Sequence, residues 1–148
     1  MTSKQEARQF ETPPAGLSIN APDILAEVEA VFARYEAALI SNDVATLDDL
    51  FWKDERTVRF GIGENLYGYE AIAAFRAARP SSGLDRRLIQ TVITTFGRDF
   101  ATASTLFFRD IAAPGRCGRQ MQTWLRTSQG WRVVAAHVSV IEDPGKTP

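Results

Sequence analysis

Apolar side chains between residues 20 and 79 recur at three- and four-residue steps, which is the period of a helix that buries one face. The longest such face predicts a first helix that begins beside a cap at Asn20. Its apolar members are Ile24, Leu25, Val28, Val31, Phe32, Tyr35 and Leu39. A shorter second helix, capped by Asn42 or Asp43, and a third helix over residues 69–79 are predicted to follow.

The period changes to two in the remaining segments, which predicts β-strands. One short strand, over residues 56–60, precedes a glycine-rich turn with the sequence GIGENLYG, and four longer strands follow at 84–96, 100–110, 116–128 and 131–142. Helices gathered before a run of hairpins predict an α+β fold. A twisted, mainly antiparallel sheet of this size curls into a cone around the long helix and the two shorter ones, and its hollow suits a small molecule.

The folded unit is predicted to be a single domain over residues 20–142. Residues 1–19 contain two prolines and a glycine among polar residues and are interpreted as a flexible N-terminal tail, with a second tail over 143–148. A chain of 148 residues that is 45% apolar and 24% charged has the size and composition of one globular core.

The distribution of charge argues against several classes of partner. The 17 basic and 18 acidic residues are mixed along the chain, so no basic surface for nucleic acid and no membrane anchor is predicted. No apolar run approaches the roughly 20 residues that a membrane helix needs, and the first residues lack the apolar core of a secretory signal. Cys117 is the single cysteine, which excludes an internal disulfide and favours a cytoplasmic location.

Two residues are candidates for catalytic chemistry, Tyr35 on the apolar face of the first helix and Arg59 in the middle of the short strand. The pattern leaves open a core tyrosine whose hydroxyl meets the backbone and an arginine on the solvent face of the strand. A buried arginine, however, requires an anion, which a small carboxylated substrate supplies. We predict that both side chains point into one pocket.

Four further residues are candidates for substrate binding: Trp124, Gln122, His137 and Tyr67. Trp124 and Gln122 share one strand face, His137 alternates with apolar residues of the last strand, and Tyr67 follows the glycine turn. The pattern does not decide whether Trp124, His137 and Arg119 face the pocket or a subunit interface. One histidine and scattered carboxylates predict no metal site.

The last strands carry apolar residues on both alternating faces, notably in residues 106–108 and 133–140. One face packs on the helices, and large apolar patches are rarely left exposed on monomers. A homodimer or larger homo-oligomer, assembled through the outer face of the sheet, is therefore predicted.

Parts of the sequence resemble known proteins. The segment Tyr35-Glu36-Ala37-Ala38-Leu39, then Asp43 and residues 54–58, is similar to the SnoaL-like cone fold, a superfamily that includes ketosteroid isomerases. In those isomerases a helix tyrosine stabilises an oxyanion, and an aspartate base stands on the first strand, where Arg59 stands here. Because an arginine is permanently charged and cannot abstract a proton, the isomerase reaction is not expected.

The closer resemblance is to the AtzH-like family. It is carried by the segments FARYEAAL, RTVRFGIGENLYGYEAI, FRAARP, TTFGRDFAT and GRQMQTWLRTSQGWRVVAAHVSV. The resemblance implies decarboxylating hydrolysis of N-carboxylated ureas such as 1,3-dicarboxyurea, in cyanuric acid and ureide breakdown, without a cofactor. It also implies catalytic roles for Tyr35 and Arg59. The alternatives are a non-catalytic binding or assembly module of the same fold, and an isomerase or dehydratase with a non-ureide substrate.

Overall fold

A computed structural model describes residues 9–145, which form three helices and a single six-stranded sheet. The helices are α1 (Pro22–Ile40), α2 (Val44–Leu50) and α3 (Tyr69–Ala78). The strands are β1 (Val58–Phe60), β2 (Asn65–Tyr67), β3 (Arg87–Phe96), β4 (Phe100–Phe108), β5 (Arg116–Thr127) and β6 (Gly130–Glu142). Their order in the sheet is β2-β1-β6-β5-β4-β3; β1 runs parallel to β6 and all other neighbours are antiparallel. The predicted α+β cone around a long first helix is confirmed.

Two bulges bend the sheet. The register between β3 and β4 shifts between Ile89 and Val92, where Gln90 adopts a φ of 51°. The register between β5 and β6 shifts beside Trp124, which leaves Val134 without an opposite residue. An extra residue on one strand bends that strand and increases its twist, so both bulges help to wrap the sheet around α1.

The core lies between α1 and the concave face of the sheet. Helix α1 contributes a continuous buried face, with members at the helical steps predicted from the sequence: Ile24, Val28, Phe32, Tyr35 and Leu39. Against it pack two alanines of β4, together with Trp124 and Val133. Leu47, Leu50 and Phe51 of the α2 region complete the same cluster. None of the helices formed by residues 9–145 is long and apolar enough to cross a membrane.

The segment before α1 is attached to the end of β3. The Asn20 backbone N–H donates to the Thr95 carbonyl at 3.1 Å, and the Asn20 Oδ1 accepts from the Thr95 N–H at 2.8 Å. The prediction that Asn20 caps α1 is therefore wrong: the N-cap is Ala21, and the Asn20 side chain is engaged by β3. Residues 1–8 of the predicted N-terminal tail and 146–148 of the C-terminal tail lie outside the described residues.

The segment between α2 and α3 differs from the prediction in two respects. Residues 54–57 form a turn, in which the Asp54 carboxylate accepts hydrogen bonds from Arg56 Nε and Nη2 at 2.8 and 2.9 Å, so β1 begins at Val58. The glycine-rich segment contains β2, which pairs with β1 as a hairpin. Three residues are too few for a recognisable alternation, which is why this strand was missed.

Candidate functional site

A cavity of about 180 Å³ lies between α1, α3 and the concave face of the sheet. Tyr35 from α1 and Arg59 from β1 both line it, as their positions in the sequence predicted. The other polar lining residues are Glu64, Arg79, Arg86, Arg109 and Gln120. The apolar lining residues are Leu39, Ile62, Phe75, Leu84, Phe107 and Val138. The wall is thus a mixture of apolar surface and guanidinium groups.

The ring of Tyr35 is held by two aromatic neighbours. Its centroid lies 6.3 Å from that of Phe51 and 6.3 Å from that of Trp124, which meets it edge-on at 90°. Tyr35 is 5% exposed, and its hydroxyl forms no hydrogen bond with any residue in the range 9–145. A core tyrosine usually finds a partner for its hydroxyl, so this one is left available to a group inside the cavity.

Arg59 lies on the inner face of β1 and lines the cavity. The alternative, an arginine on the solvent face of the strand, is therefore not what the structure shows. Its Nη1 donates to Glu64 Oε1 at 3.0 Å, and its guanidinium lies 5.6 Å from the centroid of Phe75. Glu64 thus supplies part of the negative charge that a buried arginine requires. Gly61 makes this possible, because a Cβ there would collide with the Glu64 carboxylate.

A buried ion pair supports the opposite wall of the cavity. Arg86 donates to both carboxylate oxygens of Glu36 through Nε and Nη2, and Nη2 also donates to Gln120 Oε1 at 2.9 Å. The side chain of Arg86 is 2% exposed and that of Glu36 is 11% exposed. The Arg86 guanidinium also stacks 4.5 Å from the centroid of Phe107. Arg86 is therefore fully engaged within the protein.

Arg79 and Arg109 bring two more cations to the same cavity. Burial lowers the pKa of the Arg79 guanidinium, and the nearby charges of Arg59 and Arg86 lower it further. Burial likewise lowers the pKa of Arg109, whose Nη1 donates to the carbonyls of Gly83 and Leu84 at 3.0 and 2.6 Å. The electrostatic environment of the cavity therefore favours an anion.

Trp124 and Gln122 lie behind the cavity wall instead of in it. Both are on the inner face of β5, and the Trp124 indole Nε1 donates to Gln122 Oε1 at 3.2 Å. Trp124 is fully buried and supports the ring of Tyr35 from behind. Gln120, two residues earlier than Gln122 on the same face, lines the cavity instead.

His137 and Tyr67 lie on the outer face of the sheet, away from the cavity. The bulge at Val134 shifts the alternation of β6, so that Val133 faces the core while His137 is exposed. His137 stands opposite Met121 of β5 and meets the Phe60 ring edge-on, and Tyr67 packs on the other side of Phe60. The structure therefore does not bring these two predicted binding residues to the cavity.

The cavity residues that the sequence pattern did not indicate are Arg79, Arg86 and Arg109. An arginine near the end of a helix or a strand usually faces solvent, so position alone did not indicate burial. One signal in the sequence was the clustering of arginines, since four of them occur within residues 76–87. Within residues 9–145, no group of three or more histidine, cysteine, aspartate or glutamate side chains is placed to hold a metal ion. Cys117 is buried, and burial raises the pKa of its thiol.

Comparisons with known proteins agree with the fold and with the resemblance. The model of the AtzH-like family matches residues 17–144. The crystal structure of a protein of unknown function from Pectobacterium atrosepticum is 61% identical, with a TM-score of 0.81 over 84% of this chain and 95% of that one. A cystatin-like fold protein from Burkholderia xenovorans is 51% identical, with a TM-score of 0.80 over 87% and 100% of the two chains.

More distant structures agree on the fold alone. An NTF2-like superfamily protein from Salmonella enterica is 21% identical, with a TM-score of 0.63 over 84% of this chain and 95% of that one. No curated protein matches the sequence. The fold and the family together support a small-molecule-binding domain. Because the family model covers most of the chain, the protein belongs to the AtzH-like family, and its fold is that of NTF2-like proteins.

Proposed function

We propose that this protein is a cofactor-free enzyme that decarboxylates a small N-carboxylated urea of the 1,3-dicarboxyurea type. The observation that carries the proposal is that Tyr35 and Arg59, from separate elements, line one cavity whose polar wall is rich in arginine. Guanidinium groups recognise carboxylates through charge-assisted, often bidentate hydrogen bonds. Membership of the AtzH-like family supports the choice of a ureide substrate.

Arg59 orients the substrate by binding one carboxylate. Glu64 engages Nη1 of its guanidinium, and the substrate carboxylate binds beside Glu64 through the remaining N–H donors. The Phe75 ring, 5.6 Å from the guanidinium, restricts its position from the side of α3. Such positioning lowers the barrier because the scissile bond is held in one place before the reaction begins.

Tyr35 acts as the proton donor. The bond between the substrate nitrogen and the carboxylate carbon breaks, its electron pair remains on nitrogen, and the carboxylate leaves as carbon dioxide. The Tyr35 hydroxyl gives its proton to that nitrogen, and the resulting phenolate regains a proton from solvent. Nitrogen therefore never departs as an anion, and positioned proton donation of this kind contributes about 10²–10⁴-fold to a rate.

The same proposal includes a cytoplasmic homodimer formed through the outer face of the sheet. Tyr67, Val92 and Met121 lie on that face and are 66%, 57% and 61% exposed. A surface of this kind on a monomer usually marks an interaction site.

Carbon dioxide release from 1,3-dicarboxyurea tests the proposed reaction. The wild type is expected to turn over this substrate, and Tyr35→Phe, which removes only a hydroxyl, is expected to lower kcat by roughly 10²–10⁴-fold. Tyr67→Phe is the matched control, because Tyr67 is exposed on the outer face and should leave kcat unchanged. Equal kcat for a folded Tyr35→Phe and the wild type would contradict the role of Tyr35. Ligand binding without turnover by the wild type would identify a non-catalytic binding module instead.

A further inference from the structure

The cavity holds more positive charge than the protein neutralises. Four arginines line it, and among the described residues two of them have a carboxylate partner: Arg59 pairs with Glu64, and Arg86 pairs with Glu36. Within residues 9–145, neither Arg79 nor Arg109 forms an ion pair. Two positive charges thus remain for a ligand to balance.

Arg79 lines the cavity, and one edge of its guanidinium has no partner among residues 9–145. Its Nε and Nη2 atoms are buried and have no hydrogen-bond partner in the described part of the chain. Buried donors without partners are costly, and native proteins rarely retain them without a reason. No acceptor in the described part of the chain therefore meets the neighbouring Nε–H and Nη2–H groups of Arg79.

The same edge of arginine holds a carboxylate elsewhere in this chain. Arg86 binds Glu36 through Nε and Nη2, Arg87 binds Asp110 through the same two atoms, and Arg56 binds Asp54 in the same way. In each pair the two parallel donors match the two carboxylate oxygens. The unoccupied edge of Arg79 has the geometry that these three pairs use.

Gln120 provides an independent observation on the facing strand. It is 3% exposed, its Oε1 accepts from Arg86, and its Nε2 has no hydrogen-bond partner among the described residues. Gln120 and Arg79 both line one cavity, so two residues of the same wall carry buried donors that no described residue meets. An anionic acceptor would satisfy them together.

We propose that Arg79, assisted by the Gln120 amide, forms a second carboxylate subsite, so that the ligand is a small dianion held by Arg59 at one end and by Arg79 at the other. This inference rests on the proposed function for the Arg59 end and for the reaction that the bound dianion undergoes. Arg109, which is anchored on the carbonyls of Gly83 and Leu84, adds positive charge to the cavity without clamping the ligand. The site thereby distinguishes a dicarboxylate from a monocarboxylate of the same length.

Arg79 holds the carboxylate that stays on the product. That carboxylate keeps its charge from the bound substrate to the transition state, so its contact with Arg79 contributes equally to both. An interaction of this kind affects KM and leaves kcat nearly unchanged. The contact of Tyr35, in contrast, changes as the C–N bond breaks and therefore affects kcat.

Calorimetric titration with glutarate and glutaramate tests the subsite. Glutarate has three atoms between its carboxyl carbons, as 1,3-dicarboxyurea does, and glutaramate has the same shape with one carboxylate replaced by an amide. The wild type should bind glutarate at least tenfold more tightly than glutaramate. Arg79→Gln should remove that preference and raise KM for 1,3-dicarboxyurea at least tenfold, with kcat within about twofold. Arg79→Lys should recover part of the preference, because it keeps the charge and loses the bidentate edge.

Arg98→Gln is the matched control, since Arg98 is exposed, pairs with Asp23 and lies outside the cavity lining. Thermal unfolding of empty Arg79→Gln verifies that the variant is folded. Equal affinity of the wild type for the two probes, or a full preference retained by Arg79→Gln, would overturn the second subsite while leaving the Tyr35 result intact. Loss of glutarate preference in Arg79→Gln together with unchanged binding in Arg59→Met would support the Arg79 subsite, and would contradict both the Arg59 end of the site and the proposed function.

Discussion

At the scale of single residues, the arginines of the cavity differ in how many of their hydrogen-bond donors have partners within the protein. Arg86 meets Glu36 and Gln120, whereas the buried Nε and Nη2 of Arg79 meet no described residue. A buried ion pair contributes little net stability, but removal of one partner leaves an uncompensated buried charge. The two arginines should therefore respond in opposite ways to the same substitution.

Arg86→Met is expected to lower the free energy of unfolding by about 3–5 kcal/mol, because Glu36 would remain buried without its partner. Arg79→Met should leave that free energy unchanged or raise it, because it removes a buried cation whose donors are unused. Urea denaturation of the two variants and the wild type measures both effects. Equal destabilisation by the two substitutions would show that Arg79 is engaged within the empty protein.

The sequence predicted the two residues that the family resemblance highlighted, and it did not predict their surroundings. Tyr35 falls on a regular apolar face, and Arg59 stands at the strand position that the resemblance singled out. Arg79 and Gln120 have no such pattern, because their burial results from the tertiary packing around the cavity. Local periodicity carries no information about that packing.

At the scale of secondary-structure elements, the bulges determine which residues reach the cavity. The long helix and the four long strands were predictable, because each repeats its period several times. One extra residue at Val134 places His137 on the outer face, although Val133 of the same strand faces the core. Bulges have no sharp sequence signature, so the faces of β6 could not be assigned from alternation.

Close packing between β4 and β5 gives a prediction at this scale. Gly118 stands opposite Phe107, and the Phe107 ring occupies the space that a Cβ at Gly118 would need. Gly118→Ala should lower the free energy of unfolding by about 1–3 kcal/mol and displace the Phe107 ring toward the cavity, which weakens glutarate binding. Gly63→Ala is the control, since its Cβ would enter open space. Urea denaturation and glutarate titration that give the same values for both variants would contradict this packing.

At the scale of the whole molecule, the sheet separates a ligand-binding concave face from an outer face with exposed apolar side chains. The helices cover the concave face, and the outer face carries Tyr67, Met121 and Val92. The separation allows two copies to associate through their outer faces while each cavity keeps its own access.

Light scattering should therefore give about twice the chain mass of 16.4 kDa, and Met121→Lys should shift the protein toward the monomer. The expected shift follows from the cost of burying an unpaired charge in an apolar interface. Ile111→Lys provides the control, because Ile111 is 96% exposed on the loop between β4 and β5. A mass near 16.4 kDa for the wild type across a wide concentration range would reject the outer-face dimer.

Calorimetric titration of glutarate into the wild type, Arg59→Met and Arg59→Lys tests most directly whether the cavity recognises a carboxylate through Arg59. Hydrogen bonds to a charged group contribute about 1.5–3 kcal/mol, so Arg59→Met should bind glutarate about ten- to a hundredfold more weakly. Arg59→Lys should recover only part of that affinity, because it keeps the charge and loses the planar fork. Equal affinity of folded Arg59→Met and wild type for glutarate would show that Arg59 does not hold the ligand, and would contradict the proposed mechanism.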